Sequence, residues 1–138
     1  MRAFFDTNIL VYLFDSGAGD KRTVAGALLR QTASEGHVIV STQILQEFYV
    51  VTTRKLAVPL SSEAAERAVR DLAAYSVIQF DPALILSGIQ CGRRHRLSFW
   101  DGLVVQAALQ GGAETLFTED MQHGSKIDGL RIENPFRA

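Results

Sequence analysis

One cysteine, three prolines and no surplus of either charge mark what this chain of 138 residues lacks. A single thiol, Cys91, excludes an internal disulfide and a cage of thiolates around zinc. A membrane helix takes roughly 18 to 20 apolar residues in succession, and no stretch approaches that length. The opening run Met1-Arg2-Ala3-Phe4-Phe5 reaches the acidic Asp6 before a signal-peptide core develops, so export is not expected. These absences make the cytoplasm the expected location, with no membrane partner. Fourteen Lys and Arg stand against fifteen Asp and Glu, a net charge of −1, so the broad positive footprint common in nucleic-acid binders is missing. Basic character is local instead, in Arg93-Arg94-His95-Arg96 and in Arg54-Lys55. No Gly-x-Gly-x-x-Gly or Gly-x-x-x-x-Gly-Lys run follows an expected strand, which excludes nucleotide folds of those two kinds.

What is present is the composition of a folded protein, 47% hydrophobic and 21% charged, at a length suited to one domain spanning 1–138. Strand-like segments at 2–5, 37–41, 77–80 and 115–118, with a possible fifth at 130–133, alternate with helical ones. Asp20 and Thr42 are expected to cap helices that end near Gly36 and Lys55. Asp81-Pro82 has the cap-then-proline order of a helix start, and Ser98-Phe99-Trp100-Asp101 the spacing of a capping box before a helix stopped by Gly111-Gly112. Strands alternating with helices predict a three-layer α/β/α domain around a central, mainly parallel sheet of four to five strands.

Sites in open parallel sheets form beyond the carboxyl ends of the strands. Asp6 closes the first strand, and Asp120 lies two residues past the strand ending at Thr118. Glu47 is about one and a half turns into the helix after the second strand, and Asp101 is in the first turn of its own helix. Four acids far apart in sequence can therefore meet at one end of one sheet. Two unit charges about 4 Å apart repel by roughly 4 kcal/mol at an effective dielectric near 20, so such a cluster must take up protons or bind a cation. Oxygen-only ligands select a hard ion such as Mg²⁺ or Mn²⁺. Taken singly, each residue also has a structural reading. Asp6 can be a turn residue, Asp101 can complete the capping box, Glu47 can be a solvated helix position, and Glu119 and Asp120 can be loop charges. Asp81 is equally well placed at a strand end, where its cap role beside Pro82 accounts for it. Position alone does not choose four members from fifteen acids.

The motifs make that choice. Phe5-Asp6-Thr7-Asn8-Ile9-Leu10-Val11-Tyr12, Leu97-Ser98-Phe99-Trp100-Asp101, Leu116-Phe117-Thr118-Glu119-Asp120-Met121 and Asn134-Pro135-Phe136, together with Gln46-Glu47-Phe48-Tyr49, follow one another in a characteristic order. In order and spacing the whole chain resembles the PIN-domain family, and within it the VapC-type toxins of bacterial toxin–antitoxin pairs. The resemblance implies a Mg²⁺- or Mn²⁺-dependent endoribonuclease that cleaves RNA, forms a homodimer and is inhibited by a small antitoxin that also binds operator DNA. It assigns Asp6, Glu47, Asp101 and Asp120 as the catalytic and metal-binding carboxylates, with Asp120 rather than Glu119 in register. Thr7 and Thr118 become polar flanks, and Asn8 the residue orienting the first Asp. Gly102 departs from the family's frequent Ala, a change expected to weaken its helix slightly.

Arg93, Arg94 and Arg96 precede Asp101 closely and are expected to contact RNA phosphates without reading sequence. His95 belongs to that surface, and His123 to a loop near Asp120. Phe99 and Trp100 could stack on bases, but they, like Phe48 and Tyr49, are expected in the core. A phosphatase of the haloacid-dehalogenase type needs a second Asp where Asn8 stands and a lysine near the late motif, and has neither. Two alternatives remain within the family, an RNA-maturation nuclease without an antitoxin and a catalytically silent domain that binds RNA or protein.

Overall fold

The computed structural model describes residues 1–137. β1 (Arg2–Phe5) leads into a short helix, α1 (Thr7–Val11), which tightens into a 3-10 turn at Tyr12–Phe14. There follow α2 (Asp20–Glu35), β2 (His37–Ser41), α3 (Thr42–Arg54), α4 (Ser62–Leu72) and β3 (Ser76–Ile78). A helix pair, α5 (Pro82–His95) and α6 (Phe99–Gln110), precedes β4 (Thr115–Phe117), β5 (Lys126–Ile127) and β6 (Leu130–Glu133). The six strands form one sheet in the order β3-β2-β1-β4-β6-β5. Every pairing is parallel except that of β5 with β6.

The expected parallel sheet is thus present, with six strands in place of four to five. The addition is β5, whose two residues are too few to show a period. Its signal was the turn, because Asp128 and Gly129 take φ of 50° and 88°, the left-handed pair that an Asp-Gly hairpin turn requires. Ala3, Phe4 and Phe5 of β1, Val38, Ile39 and Val40 of β2, and Leu116 and Phe117 of β4 are all buried. Continuous apolar runs of this kind are what strands covered on both faces demand.

Two caps differ from expectation. Ser41, not Thr42, caps α3 by accepting from the Ile44 N–H at 3.3 Å, and Gly19 precedes α2, whose first residue is Asp20. Asp81 and Ser98 cap α5 and α6 as the sequence implies.

Topology then places the site. The chain steps outward from β1 to β2 to β3 and returns through α5 and α6 to β4, on the other side of β1. Right-handed crossovers in opposite directions put the two sets of helices on opposite faces, and α6 packs on β2, β4 and β6. The carboxyl ends of β1 and β4 therefore flank the point where the winding reverses, which is where open sheets leave a crevice.

α5 and α6 touch through backbone. A Cβ built on Gly102 would lie 2.4 Å from the Gly88 carbonyl oxygen and 3.0 Å from the Gly92 nitrogen. Gly102 is thus required by the crossing, whatever it costs α6 in helix propensity. Helix propensity alone gives Gly102→Ala a gain of about 1 kcal/mol, while overpacking costs typically 1–3 kcal/mol. The expected outcome is a net loss on the order of 1 kcal/mol or more in urea denaturation. A variant as stable as wild type would show that the helices separate without cost.

Candidate active site

Asp6 sits immediately beyond β1 and caps α1. Its Oδ1 accepts from the Thr7 N–H at 2.8 Å and its Oδ2 from the Thr118 hydroxyl at 2.7 Å. Thr118 follows β4, and its oxygen also accepts from the Asp120 N–H at 3.1 Å. The Thr7 hydroxyl donates to Glu47 Oε1 at 3.0 Å, which ties α3 to the same point. Asp101 arrives on the first turn of α6, its N–H held by the Ser98 hydroxyl at 3.1 Å. Asp6, Glu47, Asp101 and Asp120 line one cleft of about 240 Å³ together with Thr7, Asn8, Gln43 and Trp100.

The cleft is electrostatically strained. Asp6 is 6% exposed. Burial pushes its carboxyl up from 3.8 to about 6, against the pull of its hydrogen bonds from Thr118 and Thr7, and the charges of Asp120 and Glu47 add to the rise. Glu47 is also raised, first by burial and then by Asp120 and Asp101, with the Thr7 bond opposing. Asp101 is raised by burial and by Asp120, with Ser98 opposing. Among the described residues no cationic side chain relieves these three groups.

Whether a hard divalent ion fits can be judged from the donors. All are oxygens, and the cluster gains by losing negative charge. Gln43 is 7% exposed, and its Oε1 has no hydrogen-bond partner among the described residues, a further free acceptor in the cleft wall. Among the described residues no three acidic, histidine or cysteine side chains are grouped closely enough to cage an ion. Mg²⁺ asks for less, since it is held by one or two carboxylates and keeps several waters. The donor set fits such an ion.

A PIN-domain family model matches residues 3–126, a span that contains all four carboxylates. The chain belongs to the PIN-domain family. Its fold is similar to that of three solved structures. One is a toxin–antitoxin complex from Klebsiella pneumoniae, at TM-score 0.73 and 22% identity over 99% of both chains. Another is VapBC2 from Rickettsia felis bound to a promoter DNA fragment, at TM-score 0.67 and 18% identity over 97% of this chain and 98% of that one. The third is VapC20 from Mycobacterium tuberculosis, a toxin that cleaves the sarcin–ricin loop, at TM-score 0.65 and 19% identity over 86% and 89%. No curated protein sequence matches the chain.

Several residues of this PIN domain lie where the motifs did not indicate. The hydrogen bonds that orient Asp6 come from Thr7 and Thr118; Asn8 lines the cleft without taking part in them. Glu119 turns away from the cleft toward Lys21 and Tyr12. Arg93, Arg94 and Arg96 do not line the cleft. Arg94 and His95 point to Asp128, at 3.5 and 3.8 Å, in the turn that precedes β6 and so at the amino end of the parallel strands. His123 accepts from the Asn134 N–H at 3.0 Å, in an exposed loop. Phe48 is core as expected, whereas Trp100 is 61%, Phe99 39% and Tyr49 37% exposed. α6 begins at the rim, and only from Gly102 onward does it enter the core. Gln43 carried no sequence signal beyond its place one turn before Glu47.

A carboxyl raised from 3.8 to about 6 carries about 3 kcal/mol against its ionised form. The folded state therefore loses stability as pH rises from 3.8 through about 6. Asp6→Asn removes the charge and keeps an acceptor for the Thr7 N–H. In EDTA it is expected to melt above wild type at pH above about 6, with the gap closing below about 4. Thermal melts across that range check this, and a pH-independent difference would contradict the burial argument.

Proposed function

We propose that this PIN domain is a Mg²⁺- or Mn²⁺-dependent endoribonuclease and the toxin of a toxin–antitoxin pair. The observation that carries the reading is the convergence of Asp6, Glu47, Asp101 and Asp120 on one cleft at the reversal point of the sheet. These carboxylates would hold the cation, one or two of them directly and the others through water. Bound there, a hard divalent ion offsets the carboxylate charge and stabilises charge developing on the phosphoryl oxygens. A carboxylate left free of the ion is available to accept a proton from the water that attacks phosphorus as the bond to the leaving sugar oxygen breaks. Thr118 and Thr7 hold Asp6 and Glu47 in place for this work. Trp100, exposed at the rim beside Asp101, offers a face on which an RNA base can stack.

The basic residues Arg93, Arg94 and Arg96 remain candidates for RNA contact outside the cleft, where phosphate binding adds affinity without sequence readout. The toxin half of the reading draws on the likeness to toxin–antitoxin complexes over nearly the whole chain. A homodimer belongs to the same reading, and Ile85, Leu86 and Ile89 expose an apolar strip on α5 that such a contact would cover. The silent-domain alternative is disfavoured, because all four acids are present and together.

The purified protein is expected to cleave RNA in Mg²⁺ or Mn²⁺ and to stop in EDTA. Asp6→Asn and Asp101→Asn, folded by circular dichroism, should each lose on the order of 100-fold in rate, the scale of a lost metal contribution of several kcal/mol. Cleavage that survives both substitutions, or that EDTA leaves untouched, would sink the proposed site. The toxin reading has its own test, co-purification with the product of a neighbouring small gene. That partner should suppress cleavage and protect the cleft carboxylates from water-soluble carbodiimide. A complex as active as the free protein would leave a maturation nuclease as the better description.

A further inference from the structure

Glu119 is the acid of the late motif that does not reach the cleft, and its surroundings are specific. The Tyr12 hydroxyl donates to its Oε1, and Lys21 Nζ lies 2.6 Å from its Oε2. The same Nζ stands 5.1 Å from the Tyr12 ring centroid and 5.3 Å from that of Phe136. Those two rings meet edge to face at 5.4 Å. Two distant parts of the chain are joined here, the 3-10 turn after α1 with the first turn of α2, and the loop after β4 with the C-terminal stretch. The Glu119 side chain is only 17% exposed, so its charge would be costly without the ammonium.

The position of this cluster in the chain gives it a consequence for the site. Of the residues on either side of Glu119, Asp120 lines the cleft and Thr118 is buried behind it, its hydroxyl binding Asp6 and the Asp120 N–H together. The loop is therefore held on its inner side by Thr118 and on its outer side by the bonds to Glu119. A single surface ion pair contributes little, but a largely buried carboxylate with two donors, whose ammonium packs against two rings, is a network.

We propose that Lys21, Tyr12 and Glu119 form a clasp that keeps Asp120 turned into the cleft and keeps a fifth carboxylate out of it. Lys21 is on this view a positioning residue, which never touches the cation or the RNA. The inference rests on the nuclease reading only in taking Asp120 as part of the cation site.

The test compares Lys21→Met, which removes the ammonium, with Lys21→Arg, which keeps a cation for Glu119. Mn²⁺ binding is read by calorimetry and by the melting shift that Mn²⁺ produces, alongside cleavage as a function of Mn²⁺ concentration. Partners that orient metal ligands change affinity by about 10- to 100-fold, so Lys21→Met is expected to weaken Mn²⁺ binding by roughly tenfold or more. The Mn²⁺ needed for half-maximal cleavage should rise in step, with cleavage largely recovered at high Mn²⁺. Lys21→Arg should bind as wild type does. Tyr12→Phe, which removes one donor and keeps the ring packing, should shift Mn²⁺ binding in the same direction by less, and it supplies the answer if Lys21→Met does not fold. Lower melting temperature with unchanged Mn²⁺ affinity would make the cluster structural only and overturn the clasp. Wild-type protein that binds no Mn²⁺ would overturn the cation site itself, and the clasp with it.

Discussion

Asp6 stands where β1 and β4 part, almost wholly removed from water, and a carboxylate so placed has to be met by donors, here one from the start of α1 and one from just beyond β4. The Thr7 N–H supplies one and the Thr118 hydroxyl the other. The first is local to the start of α1, whereas the second exists only because of the sheet. β1 and β4 must be parallel neighbours for Thr118 to arrive beside Asp6, with Phe5 opposite Phe117 in register. The Thr118 oxygen then fixes the next turn of chain by accepting from Asp120, while the Thr7 hydroxyl reaches across to Glu47. Two threonine hydroxyls thus transmit the position of one buried carboxylate to two others. Because each is uncharged, they organise the cluster without neutralising it.

That lack of neutralisation has a physical consequence. Burial and mutual repulsion raise Asp6, Glu47 and Asp101 together, and no lysine or arginine among the described residues stands by to lower them. A structural ion-pair network would carry its own cations, as the cluster at Lys21 does. A site that leaves this role open is one that gains stability when a cation arrives from solution. On the nuclease reading, the uncaged arrangement of these carboxylates agrees with an ion that retains much of its hydration.

Much of this was legible in the residues alone, for identifiable reasons. The strands could be read because both faces are covered, so that runs such as Val38-Ile39-Val40 stand out against the helices. The helix starts at Asp81 and Ser98 were visible because capping is a local interaction within a single turn. What escaped depended on a second, distant segment. Gly102 reads as a weak helix residue until Gly88 and Gly92 are placed against it, although three small residues at helical spacing on successive helices were a clue. Trp100 reads as core because aromatic residues usually are, yet α6 starts outside the core. Arg94 lies seven residues before Asp101, but a helix end can face either rim, and Asp128 draws it toward the other one. Gln43 gave no sign of being buried in the wall of a polar cleft. The choice of Asp120 over Glu119 came from motif register, and only the placement of Lys21 supplies a physical reason for it.

Adjacent residues of like charge are thus put to opposite uses, and the net charge of −1 shows why that separation matters. RNA is a polyanion, and a cleft lined by carboxylates repels it at short range. This chain has no net positive charge to offset that repulsion, as its fourteen cationic side chains are matched by fifteen acidic ones. On the nuclease reading, a divalent ion in the cleft lowers the repulsion among the carboxylates and the repulsion between them and the incoming phosphate at once. Metal and substrate should then favour each other's binding, because the cation attracts the phosphate that the bare carboxylates repel and linkage makes that effect reciprocal. A fifth carboxylate swinging in from Glu119 would oppose both. Holding it outward on Lys21 therefore protects the coupling as well as the geometry, and it does so from a point where the lysine does not itself compete with the cation for the ligands.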